Sequence, residues 1–582
     1  MTTTEDPVAP TRKPRWSFSI PPDAAKDLLI LAGLWSVSLL IVWPVGNFPL
    51  NDDWAFARTV KRFLESGEYY PTPWAAMPLL SQTLWGTLFC LPAGFSFNAL
   101  HCSTLVMSFA GLLFTYLALR YVQPSRWVAV LGTLTLVFNP IYFALSNTFM
   151  TDVTFTGLLI AAAFFLFRHL KGGSSLDAIV GSALALAATL NRQLALAIPL
   201  SYAVCVIWTR HLKNGWWARA LAPLLLSVGG LVAYQYWMKA AGRLPASYDK
   251  MNLRVYWALS DPQLIFTGMS RHAGMALLYL GLFAAPVTVL LLPKIWASRK
   301  ERPVFLAAAS VAVCFMLIFA GDLVHLRPLM PSAGNILVAQ GIGPLTLNGA
   351  LGSDTASLPS LGNLFWFTVT IVSVASGALL LAGAAAGIVR GWRSYFVLKL
   401  PIELTAGTFF QLCLVGYLFP ISVIGGWDRY FVPSIPFLLL AALSSVASSL
   451  PIAGPRRTSE PFPAVPYRVF SMLLILLMAV YSICGTHDYL SWNRARWRAL
   501  NDLMASGKAK PEDVDGGFEF NGWYLYDPDF KAPKGKNFWW VHRDDYVVAF
   551  GEQTGYRIAK EYHCSNWLPP AHRKVLLLRR DE

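Results

Sequence analysis

Long apolar runs recur along most of this chain, and they constrain its fold more than any other feature of the sequence. Each run has about 17 to 29 residues with few charges, and a helix needs roughly 20 residues to cross the hydrocarbon core of a bilayer. A soluble protein of 582 residues could not carry 55% hydrophobic and 14% charged residues, because polar groups could not cover its surface. A membrane β-barrel would need short segments of alternating polarity, which the sequence lacks. We therefore predict a polytopic α-helical membrane protein.

The apolar runs correspond to about thirteen transmembrane helices. The predicted spans are 28–46, 98–120, 127–146, 153–169, 177–190, 194–209, 219–240, 273–293, 303–320, 361–389, 401–423, 432–450 and 469–485. If the N-terminus is inside, every predicted cytoplasmic loop is basic, as the positive-inside rule requires. The net charge of +15 is thus a topology signal rather than evidence for nucleic-acid binding. An odd number of spans places the C-terminus outside.

Charge and hydropathy divide the chain into three parts. They are a basic cytoplasmic N-terminus, 1–27, a transmembrane domain, 28–485, and an extracytoplasmic C-terminal domain, 486–582. The last part begins with an amphipathic segment and continues through short β-like runs at 546–550, 556–562 and 574–578, which indicates a small mixed α/β module. No nucleotide-binding glycine motif occurs in the sequence.

The first outer loop, 47–97, contains an amphipathic helix pattern at 54–64 and a shorter apolar stretch at 77–91, interpreted as helices at the membrane interface. Its sharpest feature is the acidic pair Asp52 and Asp53, immediately outside the first span. Two adjacent carboxylates at a membrane surface are costly unless they are solvated, paired or catalytic. They could also cap the following helix, with Asn51 or Asp52 accepting backbone N–H bonds.

The run Asp52, Asp53, Trp54, Ala55, Phe56, Ala57, followed by Gly67, Glu68 and Pro71, resembles the first outer loop of GT-C membrane glycosyltransferases. Among these, the chain is similar to the lipid A aminoarabinose transferases and the protein O-mannosyltransferases. The resemblance implies a GT-C fold over essentially the full chain and makes the acidic pair, Asp52 and Asp53, the catalytic candidates, with Asp52, the first carboxylate, in the catalytic role. Asp53 stands where these families usually have Glu, and Phe56 where they have Tyr, so the sugar and the acceptor stay open.

Three further residues match polar positions of the same families. Asp152 lies just before the fourth span, where a helix cap formed by it or by Thr151 is the alternative. Arg192 interrupts an apolar stretch of about thirty residues, where an unpaired guanidinium would be expensive. It is either a donor-phosphate ligand or a residue that reaches water from a short hairpin. Arg429 is a second candidate phosphate ligand, unless it forms an ion pair with Asp428.

Arg58, Tyr430 and His325 are further candidates for the substrate site. His325 forms a polar group with Asp322 and Arg327 in an outer loop, where all three could also be solvated loop residues. None of the nine histidines has zinc-ligand spacing. No cofactor is therefore firmly implied, and dependence on a divalent metal is left open.

The resemblance implies a glycosyltransferase that moves a hexosyl or pentosyl group from a polyprenyl-phosphate donor to a hydroxyl group. The acceptor would be a lipid, a glycan or a protein at the outer, periplasmic face of the cytoplasmic membrane. Asp52 would act as general base with inversion of the anomeric carbon, and we expect a monomer embedded in membrane lipids.

Two other classes compete with this interpretation. A transporter or flippase would show internal repeats, broken helices and ionisable groups near the bilayer midplane. A noncatalytic surface protein would use the acidic pair as a cap.

Overall fold

The computed structural model describes residues 22–122, 125–209, 216–297, 328–332, 334–347, 358–392, 406–447 and 464–581. Within these ranges the chain is mainly helical. The first outer loop carries α2 (Asp53–Ser66) and α3 (Leu80–Cys90), after α1 (Pro22–Val42). The other helices are α4 (Phe97–Val122), α5 (Arg126–Val137), α6 (Pro140–Ser146), α7 (Thr151–Leu170), α8 (Ser175–Thr189), α9 (Ala197–Thr209), α10 (Trp216–Ala240), α11 (Ala246–Ser260), α12 (Pro262–Ala297), α13 (Gly362–Trp392), α14 (Ala406–Ile424), α15 (Ile435–Ala447), α16 (Val465–Ala505) and α17 (Phe518–Leu525).

Eight helices in the described ranges are long and apolar enough to cross a membrane, namely α1, α4, α7, α10, α12, α13, α14 and α16. The bent pair α5–α6 raises the number to nine if it forms one span. Each of these helices overlaps a predicted span, which confirms the polytopic helical class. The predicted spans at 177–190, 194–209 and 432–450 coincide with the shorter helices α8, α9 and α15, and the one at 303–320 lies outside the described residues. The total of thirteen stays a prediction.

The bend between α5 and α6 is 63° and has a local cause. Pro140 occupies the first turn of α6, where its missing N–H costs nothing, but it cannot continue the hydrogen-bond ladder of α5. The side chain of Asn139 restarts the helix by accepting hydrogen bonds from the N–H groups of Ile141 and Tyr142. The chain then reaches the start of α7 on the same side of the bundle as α2.

Helix α7 is the most enclosed of these spans and packs between α4 and α8. On the other side of the bundle, α12 packs along α13, and α14 packs against α9 and α15. Helix α16 contacts α12, α5 and α6 and then extends outward to the C-terminal sheet. The predicted domain boundary at 485/486 therefore falls inside one continuous helix, and the division into domains stays a prediction.

The C-terminal part contains a four-stranded sheet with the order β3-β4-β6-β5. The strands are β3 (Val514–Asp515), β4 (Tyr546–Ala549), β5 (Tyr556–Trp567) and β6 (Pro570–Arg580). The β5–β6 hairpin is antiparallel, with Tyr556 opposite Arg580 and Trp567 opposite Pro570, whereas β3 runs parallel to β4. Together with α17 the sheet confirms the predicted small mixed α/β module. A short hairpin before it pairs β1 (Leu337–Val338) with β2 (Gly341–Ile342).

An aromatic cluster attaches this module to the first outer loop. Trp54 of α2 is fully buried and contacts Trp74, Tyr526 and Trp540, with ring centroids 5.1 to 6.0 Å apart. Gly522 of α17 lies so close to Trp54 that a Cβ atom there would come within 2.4 Å of the indole. Since large aromatic side chains bury much apolar area, this cluster fixes α2 against the C-terminal module.

Candidate active site

The acidic pair begins α2, and its first member faces a partly open space. Asp52 accepts hydrogen bonds from Trp74 Nε1 at 2.9 Å and from Arg429 Nη2 at 2.8 Å, and its side chain is 15% exposed. It stands at the N-cap position but makes no side-chain capping bond, and the Asn51 amide donates to Asn335 instead. Capping therefore does not explain why a carboxylate stands at position 52. Its partner is Arg429, which lies 377 positions further along the chain.

The second member, Asp53, is fully buried and has a different environment. Its carboxylate accepts hydrogen bonds from the N–H groups of Leu50 and Phe149 and lies 3.3 Å from His101 Nε2. Burial raises the pKa of Asp53 to about 6, although the contacts with His101 and the backbone oppose this rise. The Asp53 carboxylate thus joins the start of α2 to α4 and to the segment before α7, and its oxygens do not face the space beside Asp52.

Asp152 and Arg192 form a second buried pair. Arg192 Nη1 lies 3.0 Å from Asp152 Oδ1, and Arg192 Nε donates to Thr151 Oγ1 at 2.8 Å. Neither Asp152 nor Thr151 caps α7, whose N-cap is Met150. Arg192 is only 5% exposed along its side chain, so it does not reach water from its hairpin. The two alternatives, a helix cap formed by Asp152 or Thr151 and an Arg192 that reaches water, are therefore wrong.

Arg429 and Tyr430 lie in the 3-10 turn Asp428–Ser434 that precedes α15. The Asp428 carboxylate accepts from the N–H groups of Ile336, Leu337 and Arg429, and burial raises its pKa to about 6. Asp428 therefore holds the backbone of the turn, and the side-chain ion pair between Asp428 and Arg429, the alternative to a phosphate ligand, does not form. The Arg429 guanidinium points to Asp52 instead.

Both arginines lie close to the Tyr430 ring, since each guanidinium carbon is 5.6 Å from its centroid. Asp152 and Asp52 both act electrostatically on Arg429. Asp52, Asp152, Arg192 and Arg429 thus form one group, here called the four-charge cluster. Its formal charge is zero, since each guanidinium has one carboxylate partner.

A buried ion pair behind the site holds the turn that presents Asp52. Asn51 has a left-handed φ of 55°, and its N–H donates to Glu519 Oε1 at 3.0 Å. Glu519 also accepts from Thr346 and, at 2.6 Å, from Arg496, and both charged side chains of this pair have no solvent exposure. The C-terminal module therefore fixes the backbone conformation immediately before Asp52.

The remaining candidate residues lie apart from the four-charge cluster or outside the described ranges. Arg58 donates to the carbonyl oxygen of Gly522 at 3.1 Å and lies over the Tyr526 ring, so it contacts the C-terminal module. Burial lowers the pKa of Arg58 from its ordinary value. His325, Asp322 and Arg327 fall outside the described residues. In the ranges that are described, no group of three or more His, Cys, Asp or Glu residues could hold a metal ion.

Several residues of the site carried no recognisable signal in the sequence. Trp74 lies in a Pro-rich turn, and Thr151 could be read only as a cap. Arg496 and Glu519 lie in two aromatic-rich segments of the C-terminal part, and no motif there indicates a role for either charge. Their roles depend on contacts between residues that are tens to hundreds of positions apart. The charge of Arg192 in an apolar stretch indicates that this residue needs a partner, but the sequence does not show that the partner is Asp152.

No protein-family model matches this sequence, and no curated protein matches it. Among solved structures, ArnT from Cupriavidus metallidurans in the apo state is similar over 94% of this chain and 98% of its own, at 13% identity and a TM-score of 0.37. The same protein bound to undecaprenyl phosphate gives 14% identity and a TM-score of 0.36 over the same shares of both chains. The arabinosyltransferase EmbB from Mycobacterium smegmatis gives 13% identity and a TM-score of 0.33, over 83% of this chain and 43% of its own. Because these values are low, the function has to be argued from the residues of the site.

Proposed function

We propose that this protein is a GT-C type membrane glycosyltransferase that moves a sugar from a polyprenyl-phosphate donor to an acceptor hydroxyl group. The observation that carries the proposal is the four-charge cluster. A partly accessible carboxylate, Asp52, lies beside two buried arginines that are 5.6 Å from one shared tyrosine ring. The GT-C-like sequence of the first outer loop supports the same assignment.

The two arginines have different tasks in this proposal. Arg192 is fixed by Asp152 and Thr151 and offers a rigid positive charge for the donor phosphate. Arg429 forms an ion pair with Asp52. A donor phosphate attracts Arg429 as well, and the Asp52 oxygen that accepted from Arg429 then becomes available to the acceptor hydroxyl. Donor binding would thus prepare the base.

The reaction is a displacement at the anomeric carbon. Asp52 removes the acceptor proton as the acceptor oxygen attacks from the face opposite the phosphate. The bond between the anomeric carbon and the phosphate oxygen breaks, and its electron pair stays on that oxygen, so the configuration inverts. Arg192 and Arg429 stabilise the charge that develops on the departing lipid phosphate, and each such contact contributes about 3 to 4 kcal/mol in a water-poor site.

The lipid donor also accounts for the architecture. An isoprenoid tail partitions into the bilayer while its sugar phosphate stays near the interface, so no nucleotide-binding domain is needed. Positive-inside counting supports a cytoplasmic-membrane protein with its N-terminus inside and the site on the periplasmic side. The sugar and the lipid, glycan or protein acceptor follow from none of these features.

Sugar transfer from radiolabelled polyprenyl-phosphate donors, with the purified protein in lipid nanodiscs and a cell-envelope fraction as acceptor, tests the proposal. Asp52→Asn should lower the transfer rate about 100- to 10,000-fold. Because it also removes the carboxylate that pairs with Arg429, it should lower the melting temperature, so the rates are compared at a temperature at which both chains are folded. The exposed acid Asp249 provides the matched control, and Asp249→Asn should transfer normally.

Two outcomes would contradict the assignment. Normal transfer by a folded Asp52→Asn protein would remove Asp52 from the mechanism. Movement of labelled lipid between leaflets without any sugar transfer would identify a flippase instead. A noncatalytic surface protein would neither transfer the sugar nor move the lipid.

A further inference from the structure

Trp74 is a large aromatic side chain that stays partly exposed beside the proposed catalytic base. The residue is 36% exposed, and its Nε1–H donates to Asp52 Oδ1 at 2.9 Å. The whole indole therefore lies within about one ring width of the carboxylate that receives the acceptor proton. An accessible aromatic surface thus stands where an acceptor has to bind.

Buried aromatic rings hold one side of the Trp74 indole. The ring centroids of Trp540, Phe518 and Trp54 lie 5.5, 5.8 and 6.0 Å from that of Trp74. All three of these side chains are buried in the contact between α2 and the C-terminal module. The accessible area of Trp74 therefore faces away from them, and their packing fixes the plane of the indole.

The Pro-rich turn that carries Trp74 is also fixed. Thr72 Oγ1 donates to the carbonyl oxygen of Ala55 in α2 at 2.7 Å. The carbonyl oxygen of Pro73 accepts from the N–H group of Ser247, at the start of α11, at 3.2 Å. Since the backbone and the ring are both held by the protein, little conformational entropy is lost when a ligand binds to the indole.

An anchor in the membrane interface is the ordinary role of an exposed Trp near the ends of membrane helices. In that role the indole N–H group faces lipid headgroups or water. The Trp74 indole has a single donor, and Asp52 accepts it. A donor that is committed to the carboxylate of the site favours a role in substrate binding instead.

We propose that the acceptor is a saccharide, and that Trp74 binds its apolar face while one of its hydroxyl groups bonds to Asp52. The C–H bonds on one face of a sugar ring form an apolar, slightly positive surface, which matches the negative face of an indole. A Ser or Thr side chain or a glycerol hydroxyl group carries too few C–H groups to cover an indole.

This inference rests on the proposed glycosyltransferase activity and names the acceptor class of that site. Asp52 Oδ1 stays bound to Trp74, and Oδ2, the oxygen that accepts from Arg429, receives the acceptor proton. The acceptor oxygen forms a bond to the anomeric carbon of the donor sugar, and the lipid phosphate leaves with the electron pair of the broken bond. The product is therefore a glycosidic bond between two sugars.

The chemical linkage in the product tests the acceptor class with the wild-type protein alone. The protein in nanodiscs transfers radiolabelled sugar from the polyprenyl-phosphate donor to a cell-envelope fraction, and the product is cleaved by partial acid hydrolysis or by alkaline β-elimination. We expect labelled disaccharides after partial hydrolysis. Label released by β-elimination as a monosaccharide, or recovered as glycosyl-glycerol, would overturn the saccharide acceptor and leave sugar transfer intact. No transfer at all would remove the proposed function as well.

Two substitutions separate the indole face from its N–H group. Trp74→Leu removes the aromatic face and should raise the KM for the acceptor about tenfold, with the KM for the donor unchanged. Trp74→Phe keeps an aromatic face but loses the hydrogen bond to Asp52. It should lower kcat about tenfold and change the acceptor KM less than about threefold. Trp217→Leu, at an exposed Trp of α10, is the control and should behave as the wild type.

A purely structural role of Trp74 would change kcat and both KM values together, because the whole site would be displaced. An unchanged acceptor KM in Trp74→Leu, or a donor KM that rises as much as the acceptor KM, would therefore overturn the role of Trp74. If Trp74→Leu does not fold, Trp74→Met, which fills more of the same space without an aromatic face, is judged by the same criteria. The linkage in the wild-type product decides the acceptor class in either case.

Discussion

Arg192 and Arg429 show two ways in which a buried guanidinium can be compensated. Arg192 contacts a carboxylate and a hydroxyl group from the start of α7, and its guanidinium carbon lies 5.7 Å from the Phe155 ring centroid and 5.6 Å from that of Tyr430. Arg429 has one strong partner, Asp52, a weak contact with the Met150 sulfur and a buried Nε without a partner in the described ranges. In the proposed mechanism, Arg192 therefore stays anchored, and Arg429 is the arginine that the donor phosphate redirects.

This difference predicts how the Asp152–Arg192 pair responds to mutation. Arg192→Ala leaves the fully buried Asp152 carboxylate uncompensated and should lower the unfolding free energy by about 3 to 5 kcal/mol. Arg192→Ala combined with Asp152→Ala should be less destabilised than the sum of the two single changes. Chemical denaturation of the four chains in one detergent measures the coupling. Additive effects would mean that the two charges do not interact in the folded state.

Asp53 predicts a pH dependence of stability. Its pKa is about 6 in the folded protein and 3.8 in the unfolded chain, so the folded state binds the proton more tightly. Below pH 4 the protonated Asp53 makes its full contribution to the free energy of unfolding, and this contribution is lost as the pH rises through 6. The difference is about 3 kcal/mol over that window. The melting temperature of the wild type should therefore rise relative to that of Asp53→Asn as the pH falls from 7 to 4.

The exposed acid Asp249 again provides the control, because Asp249→Asn should follow the wild type across this range. If acidification instead destabilised the wild type relative to Asp53→Asn, the contacts with His101 and the backbone would outweigh burial, and the ionised carboxylate would be the stabilised form.

At the residue scale, sequence patterns could identify which charges matter but not which charges meet. Asp52 was recognisable from its motif, and Arg192 from the cost of a guanidinium in an apolar stretch. The contact between Asp52 and Arg429 joins residues that are 377 positions apart, and no local rule predicts it. Capping and near-neighbour pairing failed as explanations for Asp152 and Arg429 because tertiary partners were available to both.

The turn before α2 is the element that aims Asp52, and its backbone conformation is unusual. Asn51 has a φ of 55°, which costs most side chains about 1 to 2 kcal/mol but is tolerated by Asn and Gly. The contact of its N–H with Glu519 depends on this conformation. Two factors therefore determine the geometry of the turn: the tolerance of Asn51 for a left-handed φ and the hydrogen bond from its N–H to Glu519.

Substitutions at Asn51 should separate these contributions. Asn51→Gly should keep the melting temperature and the transfer rate close to those of the wild type, whereas Asn51→Ala should lose about 1 kcal/mol of stability and part of the activity. The two variants both lack the amide contact with Asn335, so their difference reports the backbone alone. Equal behaviour of the Gly and Ala variants would show that the left-handed turn is unimportant.

The presence of the membrane helices could be predicted, because lipid imposes a minimum apolar length on each span. The residues at which the helices end could be predicted less well. The run 469–485 predicted a span, yet α16 continues to Ala505. Beyond the apolar run, buried residues such as Trp492, Ala499 and Leu500 follow one face of the helix and pack on the C-terminal module. Apolar length detects the lipid-facing part of a helix, and it does not detect a helix that continues along a protein surface.

Across the whole molecule, the distribution of exposed apolar side chains separates two kinds of surface. Helices α1, α10 and α16 expose large hydrophobic residues that a water-soluble protein would bury, among them Leu29, Leu225 and Leu476. On the C-terminal sheet, the exposed positions of β5 and β6 include five Arg or Lys residues, and the large hydrophobic residues exposed there are Ile558 and Trp567. The four-charge cluster lies where the helical bundle meets this polar module, which is where a lipid-linked sugar would present its phosphate.

Topology can be tested with two single cysteines in a background in which all seven native cysteines are replaced by Ala. Lys508→Cys is exposed just after α16, and Ser175→Cys is exposed at the start of α8, beside the basic residues Arg168 and Lys171. Because basic loops stay on the cytoplasmic side, a membrane-impermeant maleimide should label Lys508→Cys in intact spheroplasts and Ser175→Cys only after permeabilisation. The background chain should remain unlabelled in both conditions. The reverse pattern would place the four-charge cluster on the cytoplasmic side. The proposed lipid-linked donor would then have to be used in the cytoplasmic leaflet, before it is moved across the membrane.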